Sequence, residues 1–141
     1  MRRTGISRWH SWPAILLGGI FVISGAAKAP QPELTFAGIQ QYQLLDANAA
    51  YFLAEWLPWL EIALGGLLWI PFTRKIGLGM AGALQLIFLA ALAQAVFRGL
   101  EIVCVCFGTP LGRTGGLFLQ EAVLLVLTAW AIRREWIRTR K

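Results

Sequence analysis

Charge is scarce in this chain: only 14% of its 141 residues are Asp, Glu, Lys or Arg, where an ordinary soluble domain carries roughly a quarter. One histidine, His10, and two methionines, Met1 and Met80, leave few imidazole or soft ligands, so a zinc or copper site within one chain is not expected. There are two cysteines, Cys104 and Cys106. A pair two residues apart closes too small a loop to staple a fold. Acidic residues are the scarcer sign, seven against thirteen basic, for a net charge of +6.

Apolar surface is what the chain has in excess, with 57% hydrophobic side chains and a mean hydropathy of +0.62. Four apolar runs, 12–29, 54–71, 76–97 and 115–132, have about the ~20 residues needed to cross a hydrocarbon core of ~30 Å. The expected class is all-α: residues 1–141 form a single integral membrane domain, a four-transmembrane-helix bundle. Gly77, Gly79, Ala81, Gly82, Ala83 and further alanines in the third run favour close helix packing in lipid.

The basic residues sit in short clusters at the ends of these runs, a pattern read by anionic lipid and insertion machinery rather than by nucleic acid. Arg2, Arg3 and Arg8 precede the first run, Arg74 and Lys75 join the second to the third, and five more follow the fourth. Ten of the thirteen thus fall on one side, against Lys28, Arg98 and Arg113 on the other. The positive-inside rule makes both termini cytoplasmic in an inner (cytoplasmic) membrane. The connections 30–53 and 98–114 then face the opposite, oxidising side, and the cysteines with them. Ala27-Lys28-Ala29 has the look of a signal cleavage site, but Pro30 after it and Lys28 before it oppose cleavage, so the first run is expected to stay.

The seven tryptophans fall near the ends of the runs, where an amphipathic ring suits the membrane interface. In the first outer connection Phe36, Ile39, Tyr42 and Leu45 share one helical face, which fits either a short surface helix over 32–45 or a loop that dips its aromatics into the headgroups.

The candidate chemistry lies on the outer side. Two cysteines separated by one residue bridge only if the backbone brings their Cα atoms within about 6.8 Å, so the bond is strained and easily reduced. Exchange, a structural thiol pair and, less readily, metal ligation are all open on spacing alone. Arg98 favours a nearby thiolate electrostatically, and Glu101 opposes it. Glu61 and Glu121 stand roughly 10 Å inside the outer ends of their helices, with Gln94 in the same layer and Lys28 at its edge. Intramembrane charges usually face inward with a partner. A Lys28–Glu61 pair with Glu121 and Gln94 nearby suits either a structural network or a proton-handling pocket of the kind a membrane quinone requires.

Ser24-Gly25-Ala26-Ala27-Lys28 at the end of the first run, Leu57-Pro58-Trp59-Leu60-Glu61 in the second, and Arg98-Gly99 leading to Cys104-Val105-Cys106-Phe107-Gly108 resemble the DoxX-like membrane proteins, closest to the methylamine-utilisation protein MauE branch. The resemblance runs over about 12–132. It implies redox maturation of exported proteins through Cys104 and Cys106, with a periplasmic thioredoxin-like partner and, in the MauE case, methylamine dehydrogenase as the protein matured. Val105 stands where the family has glycine, and a β-branched residue prefers extended backbone, which raises the strain of a local disulfide. The competing functions are a non-catalytic assembly or scaffold subunit and a small-molecule transporter. Self-association of the chain is left open.

Overall fold

In hydrocarbon every backbone N–H and C=O must be paired within the protein, and for single apolar runs of about twenty residues the helix is the structure that does so. The computed structural model describes residues 12–102 and 114–140, and among those residues it is all-helical. The elements are α1 (Trp12–Lys28), α2 (Pro32–Gln40), α3 (Ala47–Trp69), α4 (Arg74–Phe97) and α5 (Thr114–Thr139). Helices α3 and α4 and the Gly116–Thr139 stretch of α5 are each long and apolar enough to cross a membrane. Helix α1 has 17 residues and turns by 102° into α2. At about 1.5 Å per residue α1 is some 26 Å long, close to the hydrocarbon thickness. The chain is a multi-pass membrane protein.

The four long helices form a ring in which α1 packs on α3 and α5, and α4 packs on the same two. The face α1 turns inward follows directly from its sequence: Ala14, Leu17, Gly18, Phe21, Ser24, Gly25 and Lys28 recur three and four apart and are all buried. Of these, Ala14, Leu17 and Phe21 meet Leu64, Leu68, Leu78 and Ala81 in the main apolar core. Outward-facing Phe72 and Phe97 are 95% and 90% exposed, which is tenable against lipid and not against water.

The α1–α3 seam is the tightest, because glycines meet backbone there. A methyl group at Gly25 would lie 2.5 Å from the Pro58 carbonyl oxygen, and one at Gly65 would lie 2.6 Å from the Gly18 carbonyl oxygen. At the end of the bundle where α1 begins, Trp69 Nε1 donates to the Ile15 carbonyl at 3.1 Å. Trp12 packs edge-on against Trp130 at 5.2 Å, and the Arg134 guanidinium lies 4.4 Å from the centre of the Trp130 ring.

Three boundaries differ from the hydropathy reading. Helix α3 begins at Ala47 rather than 54, about two turns earlier, because Ala50 and Ala54 are fully buried and Tyr51 packs edge-on against Phe36 of α2. Hydropathy counts the polar Asn48 against that stretch although packing holds it helical. Helix α5 runs to Thr139 rather than 132, its basic tail held by Glu135, which lies 3.5 Å from Arg74 and 4.0 Å from Arg138. Helix α2 stops at Gln40 rather than Leu45, since Gln43 adopts a left-handed φ of 51° that no α-helix continues.

Candidate functional site

Ser24 and Lys28 lie four residues apart on α1, one turn above the other on the face that meets α3. Both reach Glu61. Lys28 Nζ donates to Glu61 Oε1 at 2.7 Å, and Ser24 Oγ donates to Glu61 Oε2 at 3.1 Å. The side chains of Lys28 and Glu61 are only 8% and 5% exposed. Both carboxylate oxygens are therefore occupied, as a charge withdrawn from water requires.

This pair forms one wall of a cavity of about 110 Å³ at the centre of the ring, with lining residues from all four long helices and Tyr42 from the connection after α2. Its walls are mostly apolar. Among its polar members are Gln85 from α4 and Gln120 and Glu121 from α5, and Glu121 lies within electrostatic reach of both Lys28 and Glu61. Gln85 is 3% exposed, and neither its Nε2 nor its Oε1 finds a partner among the described residues. Burying an amide unpaired costs roughly 2–7 kcal/mol, depending on the reference state.

Lys28, Glu61 and Glu121 share this cavity, whereas Gln94 and Arg98 belong elsewhere. Gln94 Nε2 donates to the Tyr42 carbonyl at 2.9 Å, and Arg98 donates to the Gln43 carbonyl at 3.4 Å, to Gln43 Oε1 at 3.3 Å and to Gln94 Oε1 at 3.3 Å. Together they latch the end of α4 to the first connection, at the left-handed Gln43. Counting residues along the helix puts Gln94 in the acid layer. Its rotation about the axis turns it instead to the latch. The glutamine of α4 that does border the cavity, Gln85, is the sole strongly polar residue between 76 and 93, nine residues from Gln94 and thus a level deeper.

Beyond the latch, α4 ends in a Schellman turn. The Gly99 N–H bonds the Val96 carbonyl at 3.0 Å, and the Leu100 N–H bonds the Ala95 carbonyl at 2.9 Å. Gly99 carries the φ of 71° that this turn demands. Leu100 folds back onto a second apolar cluster containing Leu92, Ala95, Ile102 and Leu117. Ile102, 2% exposed, is thereby anchored two residues before Cys104. Cys104 and Cys106 themselves lie outside the described residues.

The model of the family described as methylamine utilisation protein MauE matches residues 8–134. The methylamine utilization protein MauE of Methylophilus methylotrophus is 30% identical over 118 residues, covering 78% of this chain. The chain spans about 62% of the length of that curated relative. No solved structure matches. With nearly its whole length covered by the family model, this chain belongs to the MauE family.

Proposed function

We propose that this MauE-family protein serves the redox maturation of exported proteins at the inner membrane, exchanging thiols and disulfides through Cys104 and Cys106. Both termini are cytoplasmic in this reading, and the cysteines face a periplasmic thioredoxin-like or other exported partner. The observation that carries it is the arrangement of α4. The helix has Arg74 and Lys75 at one end, and at the other the Gly99 turn that leads into the segment holding the chain's only two cysteines. Basic residues are retained preferentially on the cytoplasmic side, and two at this end against Arg98 alone at the other support the cysteine end as the outer one.

In the exchange, a partner thiolate attacks one sulfur of the Cys104–Cys106 disulfide, and the other leaves as a thiolate that takes up a proton. The partner's second thiol then displaces the mixed disulfide. Two electrons and two protons have passed to Cys104 and Cys106, and the partner holds a disulfide. Run in reverse, the same steps reduce a partner disulfide. Within methylamine utilisation, the matured protein in this reading is methylamine dehydrogenase. Supporting the exchange role is the small loop, which adds little stability and, with Val105 between the sulfurs, is strained when closed.

The test is the double substitution Cys104→Ser, Cys106→Ser in cells. The exported partner is expected to accumulate with an altered thiol state and to lose activity, while the membrane level of the variant stays normal. An unchanged thiol state and activity would instead leave a scaffold that holds its partner without chemistry.

A further inference from the structure

Helix α4 begins and α5 ends at the same end of the bundle, and an open groove of about 360 Å³ lies between them there. On the α5 side Ile132, Glu135, Trp136 and Thr139 recur three and four apart on one face, so the groove follows that helix for about 10 Å at 1.5 Å per residue. On the α4 side Gly79 keeps it open, since nothing lies within 4 Å of a methyl placed there. Ile76 and Trp136, which flank it, are both largely exposed. The groove therefore faces the surroundings of the bundle and not its core.

Charge distinguishes this groove from an ordinary lipid-facing furrow. The one acid among its described lining residues, Glu135, is already engaged by Arg74 at 3.5 Å and Arg138 at 4.0 Å. Arg74 is further fixed by donating from Nε to the Leu68 carbonyl at 3.0 Å. Lys75, exposed at the rim of the groove, has no ion pair or hydrogen bond to a described residue. Its aliphatic stem can lie along apolar surface while the ammonium reaches the headgroup level. An apolar floor formed by Ile76, Gly79 and Ile132 thus adjoins an uncompensated positive charge.

That combination selects an amphipathic anion. Trp136 marks the level of the membrane interface, where indole rings sit among headgroups, and basic pockets between spanning helices take anionic headgroups. A second copy of the chain fits worse, because a symmetric contact of this face with itself sets Lys75 against Lys75. We infer that the α4–α5 groove binds one anionic phospholipid, its headgroup phosphate against the Lys75 ammonium and the first part of an acyl chain over Gly79. This binding needs neither cysteine, and it does not depend on which side of the membrane this end of the bundle faces.

The test titrates dioleoyl phosphatidylglycerol and, separately, dioleoyl phosphatidylcholine into the delipidated full chain in detergent and counts bound lipids by native mass spectrometry. One phosphatidylglycerol per chain is expected to bind saturably, about tenfold tighter than phosphatidylcholine, and Lys75→Gln should lose about fivefold of that preference. Lys75→Arg should retain it. Gly79→Leu, which fills the groove and leaves the charge in place, should weaken phosphatidylglycerol by a similar factor without lowering Tm. Arg134→Gln removes the same charge from the far side of α5, where the guanidinium lies on the Trp130 ring, and should bind as the wild type does. Equal affinity for the two lipids, equal losses in Lys75→Gln and Arg134→Gln, or full affinity in Gly79→Leu would overturn the assignment. A dimer in delipidated detergent that Gly79→Leu breaks would give the groove to a second copy and overturn it as well. Should Gly79→Leu fail to fold, the wild-type lipid preference and the comparison of Lys75→Gln with Arg134→Gln still decide.

Discussion

Lys28 and Glu61 join α1 to α3 through a 2.7 Å ion pair buried among apolar side chains. Neither charge has water to fall back on, so the pair fixes the register of the two helices more than it adds net stability. Removing one partner strands the other. Lys28→Met or Glu61→Leu alone should therefore destabilise the protein by about 3 kcal/mol, near the lower end of the range for broken buried pairs. The double variant should recover most of that loss. Thermal unfolding of all three in detergent measures the coupling, and simple additivity of the two losses would show that the pair does not act as a unit.

The glycines of the α1–α3 seam offer a comparison within one sequence. Gly25→Ala places a methyl 2.5 Å from the Pro58 carbonyl oxygen, whereas nothing lies within 4 Å of a methyl at Gly19 or at Gly66. The first should cost about 1–3 kcal/mol through overpacking. The other two should gain up to about 1 kcal/mol from helix propensity. Unfolding midpoints of Gly25→Ala and Gly66→Ala that shift together would contradict the close approach.

Gly99→Ala tests the turn that leads into the cysteine segment. There is open space around a methyl at Gly99, so its cost comes only from the left-handed φ of 71°, roughly 1–2 kcal/mol. Because the turn anchors Leu100 and Ile102, the rate of Cys104 and Cys106 alkylation by a membrane-impermeant maleimide should change with little loss of global stability. Unaltered alkylation would separate the turn from the presentation of the cysteines.

Arg98→Leu should free the first connection, since its guanidinium holds both the carbonyl and the side chain of Gln43. Hydrogen exchange at residues 42–45 is expected to speed up several-fold, with α3 and α4 unaffected. Equal protection in the variant would show that the left-handed turn at Gln43 is held by other contacts.

The sequence made the class legible because lipid leaves so few alternatives: apolar runs of spanning length must be helices, and the ends of α1 and α4 fall within two residues of where hydropathy sets them. It also brought Lys28 and Glu61 together, since two opposite charges in hydrocarbon need each other. What hydropathy could not read is set by tertiary contacts. The first two turns of α3 are helical through the burial of Ala50 and the Phe36–Tyr51 contact, and the tail of α5 is helical through Arg74 and Glu135. Gln94 shows the limit most clearly: depth along a helix follows from counting, but the direction a side chain takes around the axis depends on which neighbour occupies each side. That is why Gln85, deeper and on the inner face, lines the cavity in its place.

The central claim concerns the two sulfurs, and trapping tests it most directly. Cys104→Ser and Cys106→Ser are expressed separately, cells are quenched with acid, and disulfide-linked species are resolved under non-reducing conditions and identified by mass spectrometry. One of the two variants should retain an exported protein in a mixed disulfide that a reductant releases, and impermeant reagents should label the remaining thiol from the outer face. Absence of any trapped partner from both variants, or labelling only from the cytoplasmic face, would contradict the account.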